Sequence, residues 1–328
     1  MLTADPAHAG DMISTADVER AAARIEGRVR RTPVLAADEG VWFKLEHLQH
    51  TGSFKARGAF NRIIASGEQT GVVAASGGNA GLAVAYAARE FGLPARVYVP
   101  ATAPAVKVAK LRQLGAAVEL VGEKYADAYD AAVKHAADTG ELFCHAYDQP
   151  DICAGQGTLG LELLAQAGDL DTILVAVGGG GLLAGVAAAV EGRARVVGVE
   201  PRTIPTLHAA LAAGEPVAVD VSGVAADSLG ATRLGDIAFA VATRTDAGSV
   251  LVDDTAIVEA RAALWDHYRL AVEPGGATAF AALRSGAYRP APGERVAVLL
   301  CGANTDPATL TSPTAAPPPG RSPRETRR

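Results

Sequence analysis

The sequence predicts an α/β fold with open, largely parallel and twisted sheets flanked by helices on both faces. Short β-rich runs alternate with alanine-rich helical runs along most of the 328 residues, and such alternation implies parallel strands joined by crossover helices. Apolar residues make up 49% of the chain and charged residues 20%, as in an ordinary globular protein. Ala, Val and Leu carry the apolar share, with aromatics only 5%, which suits helices packed on buried sheets.

Taken in order, Ser14 and Asp17 form a capping-box pattern that opens a helix with Val18, Ala22, Ile25 and Val29 on one face. Residues 71–75 (GVVAA) read as a strand and 80–91 as the helix after it. A second strand covers 96–99, and the next helix starts at Pro104 and stops at Gly115, residue types suited to a first turn and a C-terminal cap. Strand 117–121, helix 125–137 and strand 142–145 follow. The pattern resumes with strand 172–177, helix 182–190 and strand 195–200. Helical runs at 205–212, 255–269 and 276–284 precede a last strand at 296–300. Ligands of such folds sit at the carboxyl ends of strands, so the loops after strands are the places to look.

Several function classes are disfavoured. A net charge of −6 argues against nucleic acid as a partner, which calls for a basic face. Cys144, Cys153 and Cys301 form no CxxC pair and point to a reducing, cytoplasmic setting. Residues 1–14 hold Asp5 and Asp11 and no apolar core, so a signal peptide is not expected. Residues 173–190 carry no charge, but four successive glycines break the run, which reads as strand, loop and helix rather than a membrane span. From residue 311 onward Pro, Ser, Thr and Arg dominate, and residues 311–328 are expected to be a disordered tail.

Four loops carry candidate chemistry. Lys55 follows Thr51-Gly52-Ser53-Phe54; a lysine among small residues can be held in place and lose its proton, as a Schiff-base lysine must. A single lysine is ordinarily a surface residue. Residues 76–81 (SGGNAG) lie between a strand and a helix, where free N–H groups attract a carboxylate or phosphate; Asn79 as a helix cap is the plainer alternative. Residues 177–183 (VGGGGLL) repeat that arrangement. They do not fit a dinucleotide fingerprint, because Leu183 stands where its third glycine would be, nor a Walker A loop. A phosphate monoester of a small cofactor is the best guest. Cys301, in residues 299–304 (LLCGAN), lies at the end of the last strand, where it could meet the edge of a ligand or serve as a small buried hydrophobe.

In this order the four loops resemble those of the serine/threonine dehydratase (ammonia-lyase) family of fold-type II pyridoxal 5′-phosphate (PLP) enzymes, from about Ser14 to about Asp306. The resemblance implies two sheets, with a large PLP-binding domain from residues 1–66 and 147–310 and a small domain, 70–145, inserted between them. It implies that Lys55 is the Schiff-base lysine and base, that Phe54 packs beside the cofactor ring and that Asn79 bonds the ring's 3′-oxygen. Gly178, Gly179, Gly180, Gly181 and Leu182 would cradle the phosphate, with Cys301 beside the pyridine nitrogen. Ser76, Gly77, Asn79 and Ala80 would bind the substrate.

The implied activity converts threonine and/or serine to 2-oxobutyrate or pyruvate plus ammonia by α,β-elimination. A thiol is too weak an acid to keep the ring nitrogen protonated, which favours prompt elimination over transamination. Serine racemases of this branch carry SSGNHG here; Gly77 stands at the second serine, so racemisation is not expected. The branch's divalent-metal site needs a carboxylate six residues after a glutamate; Thr206 follows Glu200, so no metal is assigned and only a monovalent cation is left room. The segment after Leu310 is too short for a regulatory domain, so isoleucine feedback is not expected. The expected assembly is a homodimer, with a small amino acid as its ligand. Other readings are a β-replacement enzyme, a dehydratase of another β-hydroxy amino acid, or a non-catalytic amino-acid sensor on the same fold. Ala80 in place of the threonine of S/T-x-GNTG weighs against β-replacement, and Leu183 against a nicotinamide-dependent dehydrogenase.

Overall fold

The computed structural model describes residues 13–310; residues 1–12 and the expected tail, 311–328, lie outside the described residues. In chain order the strands are β1 (Val34–Asp38), β2 (Val41–Lys44), β3 (Val72–Ala75), β4 (Ala95–Val99), β5 (Ala117–Leu120), β6 (Leu142–Cys144), β7 (Thr172–Ala176), β8 (Arg195–Pro201), β9 (Gly248–Val252) and β10 (Val296–Leu299). The first six helices are α1 (Thr15–Ile25), α2 (Lys55–Ala65), α3 (Asn79–Glu90), α4 (Ala105–Gln113), α5 (Tyr125–Thr139) and α6 (Pro150–Ala167). The others are α7 (Gly181–Ala189), α8 (Thr206–Ala213), α9 (Ala226–Leu229), α10 (Asp236–Arg244), α11 (Asp254–Tyr268) and α12 (Pro274–Ser285).

These strands build two sheets. One has six strands in the order β1-β2-β10-β7-β8-β9, the other four in the order β5-β4-β3-β6. Every pairing is parallel except β1 with β2, an antiparallel hairpin turned at Glu39 and Gly40. The six-stranded sheet thus draws on both ends of the chain, and the four-stranded sheet on the stretch between. Strands β3, β7 and β10 are buried along their whole length, as expected when helices cover both faces.

The elements differ from the sequence expectation in instructive places. Helix α1 carries the capping box, Ser14 accepting from the Asp17 N–H and Asp17 from the Ser14 N–H. It buries Val18, Ala21 and Ile25 rather than Ala22, and it stops before Val29. Pro104 precedes the first turn of α4 instead of sitting in it. The hairpin β1–β2, strand β9 and helices α2, α6, α9 and α10 have no counterpart in the expected pattern. Helix α6 is buried over most of its length, so it lacks the polar stripe that makes an amphipathic helix legible. Its glycines serve packing: a Cβ on Gly157 would lie 2.4 Å from the Gly185 carbonyl oxygen of α7.

A buried charge network locks α2 to β2 and α6. The Arg57 guanidinium, fully buried, meets Glu46 at 2.5 and 3.1 Å and Glu162 at 2.8 and 2.9 Å. Lys44, also fully buried, bonds the Thr32 carbonyl at 2.9 Å and Glu162 and Gln166 at 2.8 Å each. Burial pushes the Lys44 ammonium down, with Glu162 opposing. Burial also works against the Glu162 carboxylate, but its bonds to Arg57 and Lys44 hold it below the usual range.

Arg57→Met keeps the volume and removes the charge that Glu46 and Glu162 share. It is expected to cost about 3–5 kcal/mol of stability, read from the denaturant midpoint. A loss under about 1 kcal/mol would mean that the network does not hold α2.

Candidate active site

The carboxyl ends of the two sheets meet around a cavity of about 470 Å³. Its walls come from the loops after β3, β4, β6, β7 and β10, together with the start of α2 and of α12. This is where open α/β sheets place ligands, because strand-to-helix loops converge there. A more open hollow of about 760 Å³ at Arg30, Arg31, His47 and Gln49 includes neither Lys55 nor the glycine loops.

Lys55 opens α2 and reaches into the cavity. Its Nζ donates to the Ala146 carbonyl at 2.5 Å and lies 5.0 Å from the centre of the Phe54 ring. Burial lowers its ammonium from the ordinary 10.5 to about 8, while the Cys153 and Cys301 thiols and Glu273 pull the other way. The amine can therefore exist as a free base near neutral pH. The Ala146 carbonyl is held in turn by His145, whose Nδ1 accepts from the Tyr147 and Asp148 N–H groups at 3.1 and 2.8 Å. Burial, with the Lys55 charge adding to it, holds the His145 imidazole down to about 4, so the ring stays neutral.

Two helix N-termini open on the same space. Helix α7 starts after Gly180, whose φ of 86° is left-handed backbone that favours glycine. The N–H groups of residues 178–182 find no acceptor within the fold among the described residues, so five donors stand at the positive end of a helix. Gly178, Gly179, Gly180, Gly181 and Leu182 all line the cavity. Helix α3 starts at Asn79, preceded by Ser76, Gly77 and Gly78, and these residues and Ala80 line it as well. The Ser76 Oγ accepts from the Gly78 N–H at 3.2 Å. A Cβ on Gly77 would meet only Val99, at 3.5 Å, so packing alone does not require glycine there.

Phe54 and Cys301 complete the expected set in the wall. Burial pushes the Cys301 thiol up to about 12, so it remains a neutral thiol; its Sγ lies 3.7 Å from the Gly275 carbonyl. Each residue that the sequence suggested for holding the cofactor or the substrate therefore borders one cavity. Glu200 stands apart from it and caps α8, accepting from Leu207 N, His208 N and Thr206 Oγ1 at 2.7, 2.9 and 3.0 Å. Thr206 Oγ1 is also 2.5 Å from the Gly178 carbonyl, which ties α8 to the glycine loop.

Other wall residues were not singled out in the sequence. Glu273, 5% exposed, accepts from Asn79 Nδ2 at 2.6 Å. Tyr147 packs against the glycine loop so closely that a Cβ on Gly179 would lie 2.3 Å from its ring. Lys107 on α4 pairs with Asp227 on α9 at the cavity edge. The rule of looking after strands applied to Tyr147, three residues past β6, and could have found it. Glu273 and Asp227 follow no strand directly, and local sequence marks neither.

Comparison with known proteins adds independent findings. Residues 25–302 match the family described as pyridoxal-phosphate dependent enzyme. The chain is 36% identical to an L-threonine ammonia-lyase of Thermotoga maritima, covering 90% of this chain and 76% of the relative. It is 40% identical to a phenylserine dehydratase of Ralstonia pickettii, covering 88% and 92%. A crystal structure of a T.th. threonine deaminase superposes with a TM-score of 0.84 at 37% identity, covering 90% of this chain and 99% of that one.

The enclosure of Lys55 has a direct test. In cofactor-free protein, labelling of Lys55 by an amine-reactive reagent, followed by mass spectrometry, should rise with pH around a midpoint of about 8. A midpoint near 10.5, that of an exposed lysine, would mean that the amine is not desolvated.

Proposed function

This chain belongs to the serine/threonine dehydratase family of pyridoxal-phosphate dependent enzymes, and from that premise we propose that it deaminates threonine and serine to 2-oxobutyrate and pyruvate. It is an ammonia-lyase that uses PLP. The observation that carries the reading is the enclosed Lys55 amine, lowered to about 8, in the same cavity as five unpaired N–H donors.

The residues present fit the cofactor. A phosphate needs several donors and a positive dipole, and residues 178–182 at the start of α7 supply both. Asn79 offers an amide, Phe54 an apolar face, Lys55 an amine and Cys301 a neutral partner for a ring nitrogen. When bound, the cofactor acts as an electron sink for the carbon that bears the substrate's amino group.

In this reading the protein does the rest. Residues 76–80 at the start of α3 hold the substrate carboxylate. Lys55 Nζ takes the α-proton, a task that suits a base whose pKa lies near working pH. The Lys107–Asp227 pair spans from α4 to α9 beside the cavity. Gly77 provides no side chain, so the loop has one hydroxyl, Ser76, already engaged with Gly78. The protein is read as a cytoplasmic homodimer. Its three cysteines are buried and free, as in a reducing compartment, and no helix among the described residues is long and apolar enough to cross a membrane.

One observation favours a second substrate. Pro100, Ala103, Pro104 and Tyr125 line the cavity beside Lys107, whose charge is matched by Asp227. An apolar, aromatic wall accepts a phenyl group as readily as a methyl, which makes an aryl β-hydroxy amino acid the alternative and a second carboxylate the poorest fit.

Steady-state release of 2-oxo acid from threonine, serine, phenylserine and 3-hydroxyaspartate tests both readings. Threonine and serine should be turned over and hydroxyaspartate least, with Lys55→Ala slowed by at least about 10³-fold. Full activity of Lys55→Ala would sink the assignment of the base. Turnover of phenylserine alone would select the second substrate class.

A further inference from the structure

We propose that Glu273 and Asn304 are positioning residues that fix the side-chain amide of Asn79, leaving one of its N–H bonds free to face the cavity. The proposal rests on the reading of that cavity as a cofactor site. An asparagine amide has two ends of opposite hydrogen-bond character, and only its surroundings decide which way it points.

Here the surroundings decide it. The Thr51 carbonyl oxygen can only accept, so the Asn304 atom 2.7 Å from it is Nδ2. The second hydrogen of that nitrogen goes to Asn79 at 2.6 Å, and the atom receiving it is therefore Oδ1. The other end of the Asn79 amide is then Nδ2, which donates one hydrogen to Glu273 Oε1 at 2.6 Å. Its remaining hydrogen has no acceptor among the described residues, and Asn79 lines the cavity. Asn304 thus donates both to Thr51 and to Asn79, and Asn79 donates onward to Glu273, so its amide can point only one way.

The fold makes room for both ends of this arrangement. Thr51 sits at φ 60°, a left-handed conformation that costs a non-glycine residue about 1–2 kcal/mol, and the turn it makes presents its carbonyl to Asn304. At the other end, a Cβ on Gly302 would lie 2.0 Å from the Glu273 carboxyl, so only glycine admits that carboxyl after β10. The Gly302 carbonyl also accepts from the Glu273 N–H at 3.1 Å. Burial raises the Glu273 carboxyl to about 7, with the Asn79 bond opposing. A buried acceptor of this kind is retained only with a firm partner.

The test compares wild type with Glu273→Gln, Glu273→Ala and Asn304→Asp, each stripped of cofactor and titrated with PLP. Affinity and the absorption spectrum of the bound cofactor are read at each step, and circular dichroism checks the fold. Glu273→Gln keeps an acceptor oxygen and should bind within about three-fold of wild type. Glu273→Ala loses the acceptor and Asn304→Asp the donor; both should bind about ten-fold more weakly, the loss of one hydrogen bond, and both should shift the spectrum. If both bind with wild-type affinity and spectrum, the positioning role is wrong. Should Glu273→Ala fail to fold, Asn304→Asp decides by the same criterion. Wild type that binds no PLP would instead overturn the reading of the cavity itself.

Discussion

The constraint on which the site depends is the burial of Arg57 between Glu46 and Glu162. Two charges out of water are unfavourable unless geometry and extra hydrogen bonds compensate them, and here both guanidinium edges are engaged. Lys55, which begins α2, lies two residues before Arg57, so anchoring one places the other. Glu46 precedes the turn at His50–Gly52, and Glu162 lies on α6. One network therefore fixes the loop before Lys55, the helix that carries it and the helix behind it. Its inner end includes Lys44 at the end of β2, which ties the catalytic helix to the six-stranded sheet.

Given that frame, the cavity follows from topology. Parallel strands send all their carboxyl ends one way, and the loops of both sheets converge on a single space. Two helix starts, α3 and α7, point partial positive charge into it, suited to two anionic groups on a cofactor and its substrate. Burial holds Cys301 and Cys153 as thiols, both pushed up to about 12, and His145 as neutral imidazole, while the Glu273 carboxyl favours the Lys55 ammonium. Among the described residues no cluster of three or more metal-ligating side chains is present, and Glu200 is occupied in capping α8.

Much of this was legible in the sequence because the relevant signals are local. Strand–glycine–helix loops at 76–81 and 177–183 advertise free N–H groups whatever surrounds them, and β-rich runs alternating with alanine-rich ones announce parallel sheets. What escaped is what depends on distant partners. Helix α6 was hidden because a helix buried all round has no periodic stripe and its glycines suggest a break. The β1–β2 hairpin is short and half-buried, and its strand character comes from pairing with β10. Glu273 becomes part of the site only because Asn79, 194 residues away, meets it across the cavity. No window of sequence contains both.

The central claim is that Lys55 holds the cofactor and acts as the base. The most direct measurement is borohydride reduction of the purified, cofactor-loaded protein, followed by peptide mapping with mass spectrometry. The account predicts a stable cofactor adduct on Lys55 and on no other lysine. An adduct on Lys107 or another lysine, or none at all, would contradict it.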